Sequence, residues 1–226
     1  MSILDLLFPK ICVGCGFVGE VICLKCINLL KTKRSHCFYC EKASLFGITH
    51  PSCLKKGPID GSLILYQYSG LMVKIIRSYK YQLNQTIIDR FLLEAVLTQI
   101  SKIKEFMPKV KVLLVPVPLG AERMRRRGFN QSLVICKYLS RLLGLEVADV
   151  LIKNRKTPPQ AGISNKIKRK INMRKAFSIK NKQLIKNKDV MIVDDLVTTG
   201  ATINELGGVL KNAGSGRIYS FALARP

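Results

Sequence analysis

The apolar positions alternate between two periods along this chain. Val190 to Val193 is a continuous apolar run that ends in two adjacent carboxylates, Asp194 and Asp195. Such a run predicts a buried parallel strand, and Thr202 to Lys211 predicts the helix that it feeds. Upstream, Leu63, Leu65, Tyr66 and Tyr68 predict a strand at a sheet edge, closed by Gly70. Leu71 to Ser78 reads as a helix with Leu71, Ile75 and Ile76 on its apolar face. Asn84 to Lys104 reads as a longer helix, striped by Ile87, Phe91, Ala95, Val96, Leu97 and Ile100. Val110 to Val117 is a second buried strand, and Pro116 and Pro118 mark its exit, because proline cannot continue a central ladder. Phe129 to Leu143 predicts a helix with Leu133, Cys136, Leu139 and Leu143 facing inward, which makes Cys136 a core thiol. Ile218 to Leu223 closes the series as a last strand after the turn glycines Gly214 and Gly216. Alternating strands and helices of this kind predict an α/β domain with a parallel-sheet core.

Two segments interrupt the alternation. The first 57 residues carry few long apolar runs but seven of the eight cysteines. Cys12 and Cys15, Cys23 and Cys26, and Cys37 and Cys40 are CxxC pairs, followed by His50 and Cys53 at the same spacing. In a chain without secretory features this is metal spacing, and four soft ligands at tetrahedral reach suit structural zinc. Cys12, Cys15, Cys23 and Cys26 form the simplest first site, and Cys37, Cys40, His50 and Cys53 a second. A crossed set joining Cys12 and Cys15 to Cys37 and Cys40 stays open, as do His36 as a rival ligand and a single ion rather than two. Metal binding would supply folding energy to a segment that builds little core alone. Lys55-Lys56-Gly57-Pro58 reads as a turn, so the expected division is a zinc-binding module over 1–57 and a larger domain over 58–226.

The second interruption is basic. Arg123, Arg125, Arg126 and Arg127 follow the strand exit as an expected loop, and Lys137 and Arg141 share one helix face at i, i+4 spacing. Lys153 to Phe177 adds Arg155, Lys156, Lys168, Arg169, Lys170 and Arg174 in a tract broken by Pro158, Pro159 and Gly162. That tract predicts a flexible basic loop over the site, returning as a strand over 176–179. Over the whole 226 residues, Lys plus Arg is 38 and Asp plus Glu is 14, a formal charge of +24. Such an excess predicts polyanionic partners, with nucleic acid first, an anionic membrane surface second and phosphorylated small molecules third. No stretch approaches the roughly 18 apolar residues of a membrane span. Ser2 to Phe8 is short, interrupted by Asp5 and preceded by no basic region, so it is a poor signal peptide. The expected location is the cytoplasm, with transient contact at the inner face of the membrane.

The chemistry concentrates after the acidic pair. Thr198, Thr199 and Gly200 form a turn of small residues at a helix start, where exposed N–H groups bind phosphate. Open α/β sheets bind ligands at the carboxyl ends of their strands. Two carboxylates before a phosphate loop suit a ligand that carries both hydroxyls and a phosphate, as ribose 5-phosphate does. The Arg run lies at the same sheet end and offers bidentate phosphate bonds. Lys80 is left open between the site and a solvated surface.

Val190 to Thr202 resembles the phosphoribosyl-pyrophosphate (PRPP) motif of type I phosphoribosyltransferases. The whole chain resembles the ComF competence family, related to the amidophosphoribosyltransferase-like domain. The likeness rests on the CxxC pairs, Pro116-Val117-Pro118-Leu119, Arg123, Arg127-Gly128-Phe129-Asn130-Gln131, Arg155, Thr157, Gln160, Asn172, Arg174 and Ala176-Phe177. His50 departs from it, standing where a fourth CxxC pair would have Cys. The resemblance implies a type I phosphoribosyltransferase fold with an N-terminal zinc finger. Asp194 and Asp195 would bind the ribose hydroxyls and serve catalysis. Leu196, Val197, Thr198, Thr199, Gly200, Ala201 and Thr202 would hold the 5-phosphate, and Pro118, Leu119 and Arg123 the pyrophosphate. Magnesium would arrive with PRPP. It also implies a role with internalised single-stranded DNA in natural transformation, alongside competence-machinery proteins such as a helicase or recombination factors. Transfer to an unknown acceptor, or salvage of a small free base, are the enzyme readings. The early cysteines, committed to metal, leave no glutaminase nucleophile.

Overall fold

The apolar strand runs assemble into one four-stranded parallel sheet. The computed structural model describes residues 9–81, 85–107, 112–154 and 176–226. The strands are β1 (Gly61–Gln67), β2 (Val112–Pro116), β5 (Asp189–Leu196) and β6 (Ile218–Arg225), in the order β1-β6-β5-β2. β5 and β6 are central, and both of their faces are covered. This explains why Val190 to Val193 is apolar without alternation, and each of these four residues is fully buried.

Successive side chains go to opposite faces. Met191, Val193, Leu114, Phe221 and Leu63 enter one core, and Val190, Ile192, Leu113, Ala222 and Ile64 the other. The first face packs on α3 (Leu71–Tyr81), α4 (Gln85–Thr98) and α7 (Gln131–Leu143), through Met72, Ile75, Phe91, Ala95, Ile135 and Leu139. The second packs on α8 (Ala201–Asn212) through Ile203, Leu206 and Leu210. Cys136 is a buried core thiol, and burial pushes its pKa well up.

The cysteine-rich segment shares these cores. Around its short helices α1 (Leu24–Asn28) and α2 (Pro51–Leu54), Ile22 and Ile27 join the first core, while Phe38 joins the second. It also covers the free edge of β1. Lys33 N donates to Leu65 O at 2.8 Å, and Gln67 N donates to Lys31 O at 2.8 Å.

Two expected elements differ. The expected helix over 84–104 is two, because the backbone breaks at Gln99 and α5 (Ile100–Phe106) starts afresh. Leu97 leaves the apolar stripe and is 44% exposed, since Phe91, Leu92, Ala95 and Val96 already fill the inward face. The Arg run is not a loop but the helix α6 (Ala121–Arg127), with Arg125, Arg126 and Arg127 in its last turn. Cations there complement the carbonyl end of the helix, and Gly128 at φ 75° caps it. The short antiparallel pair β3 (Leu151–Lys153) and β4 (Phe177–Ile179) brackets the second basic tract, and the strand expected over 176–179 is present. Arg155, Lys156, Lys168, Arg169, Lys170 and Arg174 lie outside the described residues. Among the described residues, no helix is long and apolar enough to cross a membrane.

Candidate active site and metal centres

β5 delivers both carboxylates to the carboxyl end of the sheet, where they meet unlike surroundings. Asp195, buried, forms an ion pair with Lys80 of α3, Nζ to Oδ1 at 2.9 Å. Asp194 takes its hydrogen bonds from neutral groups. Ser132 Oγ donates to its Oδ1 at 3.0 Å, and Asp195 N donates to the same oxygen at 2.9 Å. Burial, and then the charge of Asp195, push Asp194 up to about 7, against the pull of those two bonds and Lys80. The pair therefore holds one cation-paired carboxylate beside one that exchanges its proton near neutrality.

A cleft of about 220 Å3 opens over this pair. Pro118 and Leu119 line it from the exit of β2, with Arg123 and Arg127 from α6, Lys153 from β3, Phe177 from β4, and Thr202 from α8. Four cationic side chains, Lys80, Arg123, Arg127 and Lys153, thus face two carboxylates. Burial first, and then the nearby Arg123, push Lys153 below the usual lysine range. The loop after β5 is pinned at one end by Val197 N donating to Ala224 O at 3.0 Å. Thr198 and Thr199 stand exposed at the start of the 12-residue α8, and Gly200 caps that helix at φ 76°. Ala201 N meets Thr199 Oγ1 at 3.4 Å. An amide-rich helix start beside two carboxylates accommodates an anionic group next to hydroxyls.

The structure brings together Asp194, Asp195, Leu196, Pro118, Leu119, Arg123 and Thr202 around the cleft. Val197 instead turns its side chain into the second core. Arg127 separates from its neighbours: it is buried and lines the cleft, with Nη1 donating to Gln131 Oε1 at 3.1 Å, while Arg125, Arg126, Lys137 and Arg141 are exposed.

Asn130, Gln131 and Ser132 also line the cleft and were not singled out as site residues from the sequence. Their signal was present. Asn130 is the N-cap of α7, its Oδ1 accepting from Ser132 N at 3.0 Å, and its Nδ2 ties that helix start to Val117 O at 3.1 Å. Lys80 carried no local signal that could decide its role.

The two cysteine groups form as sequential sets, not the crossed one. Cys12, Cys15, Cys23 and Cys26 bring their ligand atoms within 4.8 Å of one another, and so do Cys37, Cys40, His50 and Cys53. Cys12 and Cys15 each place Sγ 3.7 Å from that of Cys23. Four thiolates around zinc lie roughly 3.8 Å apart, given Zn–S bonds of roughly 2.3 Å, so the first set fits a tetrahedral ion. Burial opposes a thiolate at Cys12, but N–H groups of Cys15, Cys23 and Gly14 prevail and bring it down to about 6. In the second set His50 Nδ1 stands 3.4 Å from Cys40 Sγ. Its Nε2 lies 3.1 Å from Ala43 O, which holds the ring in the tautomer whose Nδ1 can ligate. His36 belongs to neither set and rests its Nδ1 on Arg34 O at 2.9 Å.

Comparison with known proteins places this arrangement in a family. Competence protein F of Haemophilus influenzae is 32% identical over 209 residues, covering 90% of each chain. This chain belongs to the Competence protein F family. DNA utilization protein YhgH of Escherichia coli (strain K12) is 30% identical over 210 residues, again covering 90% of each. Competence protein ComFC of Streptococcus pneumoniae is 28% identical over 213 residues, covering 92% of this chain and 82% of that one. Residues 130–226 match the Phosphoribosyl transferase domain. That segment starts at the N-cap of α7 and contains the acidic pair and the loop after β5. The α/β core of this family member thus carries a phosphoribosyl transferase domain over residues 130–226. It is joined to an N-terminal segment whose two cysteine groups could hold metal ions.

Proposed function

We propose that this protein binds PRPP with magnesium in the cleft over Asp194 and Asp195, and single-stranded DNA on its basic surface, during DNA uptake. The observation that carries the reading is the acidic pair at the end of β5, next to the helix start of α8 and ringed by four cations. In this reading Asp194 and Asp195 accept the ribose hydroxyls. The loop from Leu196 to Thr202 receives the 5-phosphate. Pro118, Leu119 and Arg123 receive the pyrophosphate, with Arg127 and Lys153 within the same cleft. Magnesium, when bound with PRPP, would neutralise the leaving pyrophosphate, held largely through ligand oxygens and water. Loss of pyrophosphate would leave positive charge on the sugar, which the two carboxylates would stabilise.

The formal charge of +24 supports nucleic-acid contact, and exposed Arg125, Arg126, Lys137 and Arg141 supply candidate phosphate partners. The names of relatives concerned with competence and DNA utilisation favour DNA over free-base salvage. Phosphoribosyl transfer to an acceptor on or near that DNA is the enzymatic form of the same reading. Zinc is the ion proposed for both cysteine groups, in a structural role, and the cytoplasm is the proposed location.

The test is a calorimetric titration with PRPP and magnesium, with and without single-stranded DNA. The Asp194→Asn/Asp195→Asn variant is expected to lose PRPP binding and keep its metal content. Unchanged PRPP affinity in that variant sinks the site assignment.

A further inference from the structure

The turn between Cys37 and Cys40 does more than carry ligands. Its two middle residues, Phe38 and Tyr39, leave the cysteine-rich segment and pack against the loop and helix that follow β5. Phe38 is 4% exposed and shares the second core with Val197 and Ile203. Its ring lies so close to Gly200 that a Cβ there would sit 2.7 Å from Cζ. Gly200 is at φ 76°, so both conformation and space require glycine at this position.

Tyr39 stands edge-on to Phe38, with ring centroids 5.1 Å apart. Its hydroxyl donates to Asn204 Oδ1 at 2.9 Å and accepts from Ile59 N at 3.0 Å. Asn204 N donates in turn to Gly200 O at 2.9 Å, within the first turn of α8. From the far side, Arg225 at the end of β6 places its guanidinium 5.6 Å above the Phe38 ring and donates to Phe38 O at 3.4 Å. Arg225 is ion-paired with Glu41 of the same turn. The turn is thus fixed to the sheet by Arg225, and to the loop by an aromatic contact and a hydrogen bond.

We propose that the second cysteine group is a positioning device for the phosphate loop. A metal ion on Cys37, Cys40, His50 and Cys53 fixes Phe38 and Tyr39, and these hold Gly200 and Asn204 in the geometry that receives the 5-phosphate. This rests on the reading of that loop as the 5-phosphate site. The physical reason is that four ligands restrain the backbone on both sides of two side chains, leaving them little freedom to follow the loop. A loop held in one conformation loses less affinity to its own alternatives. Phe38 and Tyr39 act here as positioning residues, because they touch the loop and not the ligand cleft.

The experiment uses the full metal-loaded chain and two probes, ribose 5-phosphate and inorganic pyrophosphate, each with magnesium, by calorimetry. Phe38→Ala is expected to weaken ribose 5-phosphate binding about tenfold, and Tyr39→Phe about threefold, as the competent loop population falls. Pyrophosphate affinity is expected to stay within error, and the metal content to match the unmodified chain. His50→Ala is expected to lose one ion with the same selective loss, and His50→Cys to restore both. Hydrogen exchange without ligand is expected to quicken over residues 198–204 in the Phe38→Ala chain. A parallel loss of both probes, as general destabilisation would give, overturns the proposal. So does unchanged ribose 5-phosphate affinity in both aromatic variants, or unchanged exchange. An unmodified chain that binds no ribose 5-phosphate overturns the reading of the loop itself. The exchange measurement then shows separately whether the contact restrains the backbone.

Discussion

Lys80 and Asp195 are 115 residues apart in sequence, yet Lys80 Nζ rests 2.9 Å from Asp195 Oδ1. Both side chains are largely buried, at 15% and 7% exposure. The contact makes the acidic pair asymmetric. Asp195 has a full cation as partner, whereas Asp194 has a hydroxyl and an amide. A buried carboxylate beside another, without a cation of its own, is the one that keeps a proton to higher pH.

The pair is therefore expected to set the pH dependence of ligand binding. Asp194 protonates as pH falls through about 7, and in the proposed ribose site it would then offer no negative charge. Ribose 5-phosphate affinity is expected to fall below that point. Lys80→Met removes a cation that now holds Asp194 down, so the midpoint is expected to move upward. Ser132→Ala is expected to move it the same way by at least as much, because its donated hydrogen bond holds the carboxylate down more than Lys80 does. Binding titrations from about pH 5.5 to 9 measure both shifts as properties of the pair. A midpoint that moves down in Lys80→Met contradicts the electrostatic account.

Holding this carboxylate ionised in the fold costs stability, and the sign can be worked out. Its native pKa, about 7, is above the ordinary 3.8. Between those values the folded chain binds the proton more tightly than the unfolded chain, so stability falls as pH rises. Above about 7 the whole cost is present. Asp194→Asn keeps the shape and an oxygen for Ser132 and the Asp195 amide, but carries no charge. At pH 8 it is expected to be more stable than the unmodified chain by about 1–3 kcal/mol, with the difference vanishing below about pH 4. Denaturant unfolding at the two pH values measures this. Equal gains at both would point to packing instead.

The parts of this molecule that local pattern could reveal were legible. A parallel strand buried on both faces must be apolar throughout, and Val190 to Val193 announced β5. Candidate ligand pairs on one short turn must keep CxxC spacing, so the pairs were legible, whereas their grouping into sequential sets depends on the fold. Other features depend on distant partners. The break at Gln99 and the exposure of Leu97 follow from how the helices share one sheet face. The Arg run reads as a polar loop by composition. It is a helix because its cations sit at a carbonyl end capped by Gly128. The Lys80–Asp195 pair and the Phe38–Gly200 contact join segments that nothing in either sequence window connects.

The first cysteine group makes a steric demand between its own candidate ligands. A Cβ at Gly14 would meet Cys26 Sγ at 2.5 Å and a methyl of Leu71 at 3.0 Å. Neither neighbour can retreat easily, because Cys26 is a candidate ligand and Leu71 packs against the first core. Gly14→Ala is expected to displace Cys26 and lose one of two bound ions. Because Ile22 and Ile27 of this segment belong to the sheet core, the melting temperature is expected to fall by about 5 °C or more. Elemental analysis and thermal unfolding of the same sample test it. Retention of two ions would mean the backbone at Gly14 yields more easily than the sulfur.

The four arginines of one short segment are expected to divide between two ligands. Arg125 and Arg126 are exposed on α6, while Arg127, one residue further, is buried in the cleft and bonded to Gln131. Successive helical residues are about 100° apart around the axis, so one side chain of a run can turn inward while its neighbours stay in solvent. Each phosphate contact to a single strand contributes about 0.7 to the slope of log affinity against log salt. Arg125→Ala/Arg126→Ala is expected to lower that slope for single-stranded DNA by about 1.4, and to leave pyrophosphate binding unchanged. Arg127→Ala is expected to do the reverse, weakening pyrophosphate binding with the DNA salt slope intact. Fluorescence anisotropy of a labelled oligonucleotide across salt concentrations, beside pyrophosphate calorimetry, separates the two. If Arg127→Ala alone lowers the DNA slope, the strand enters the cleft, and its phosphates compete there with the pyrophosphate group.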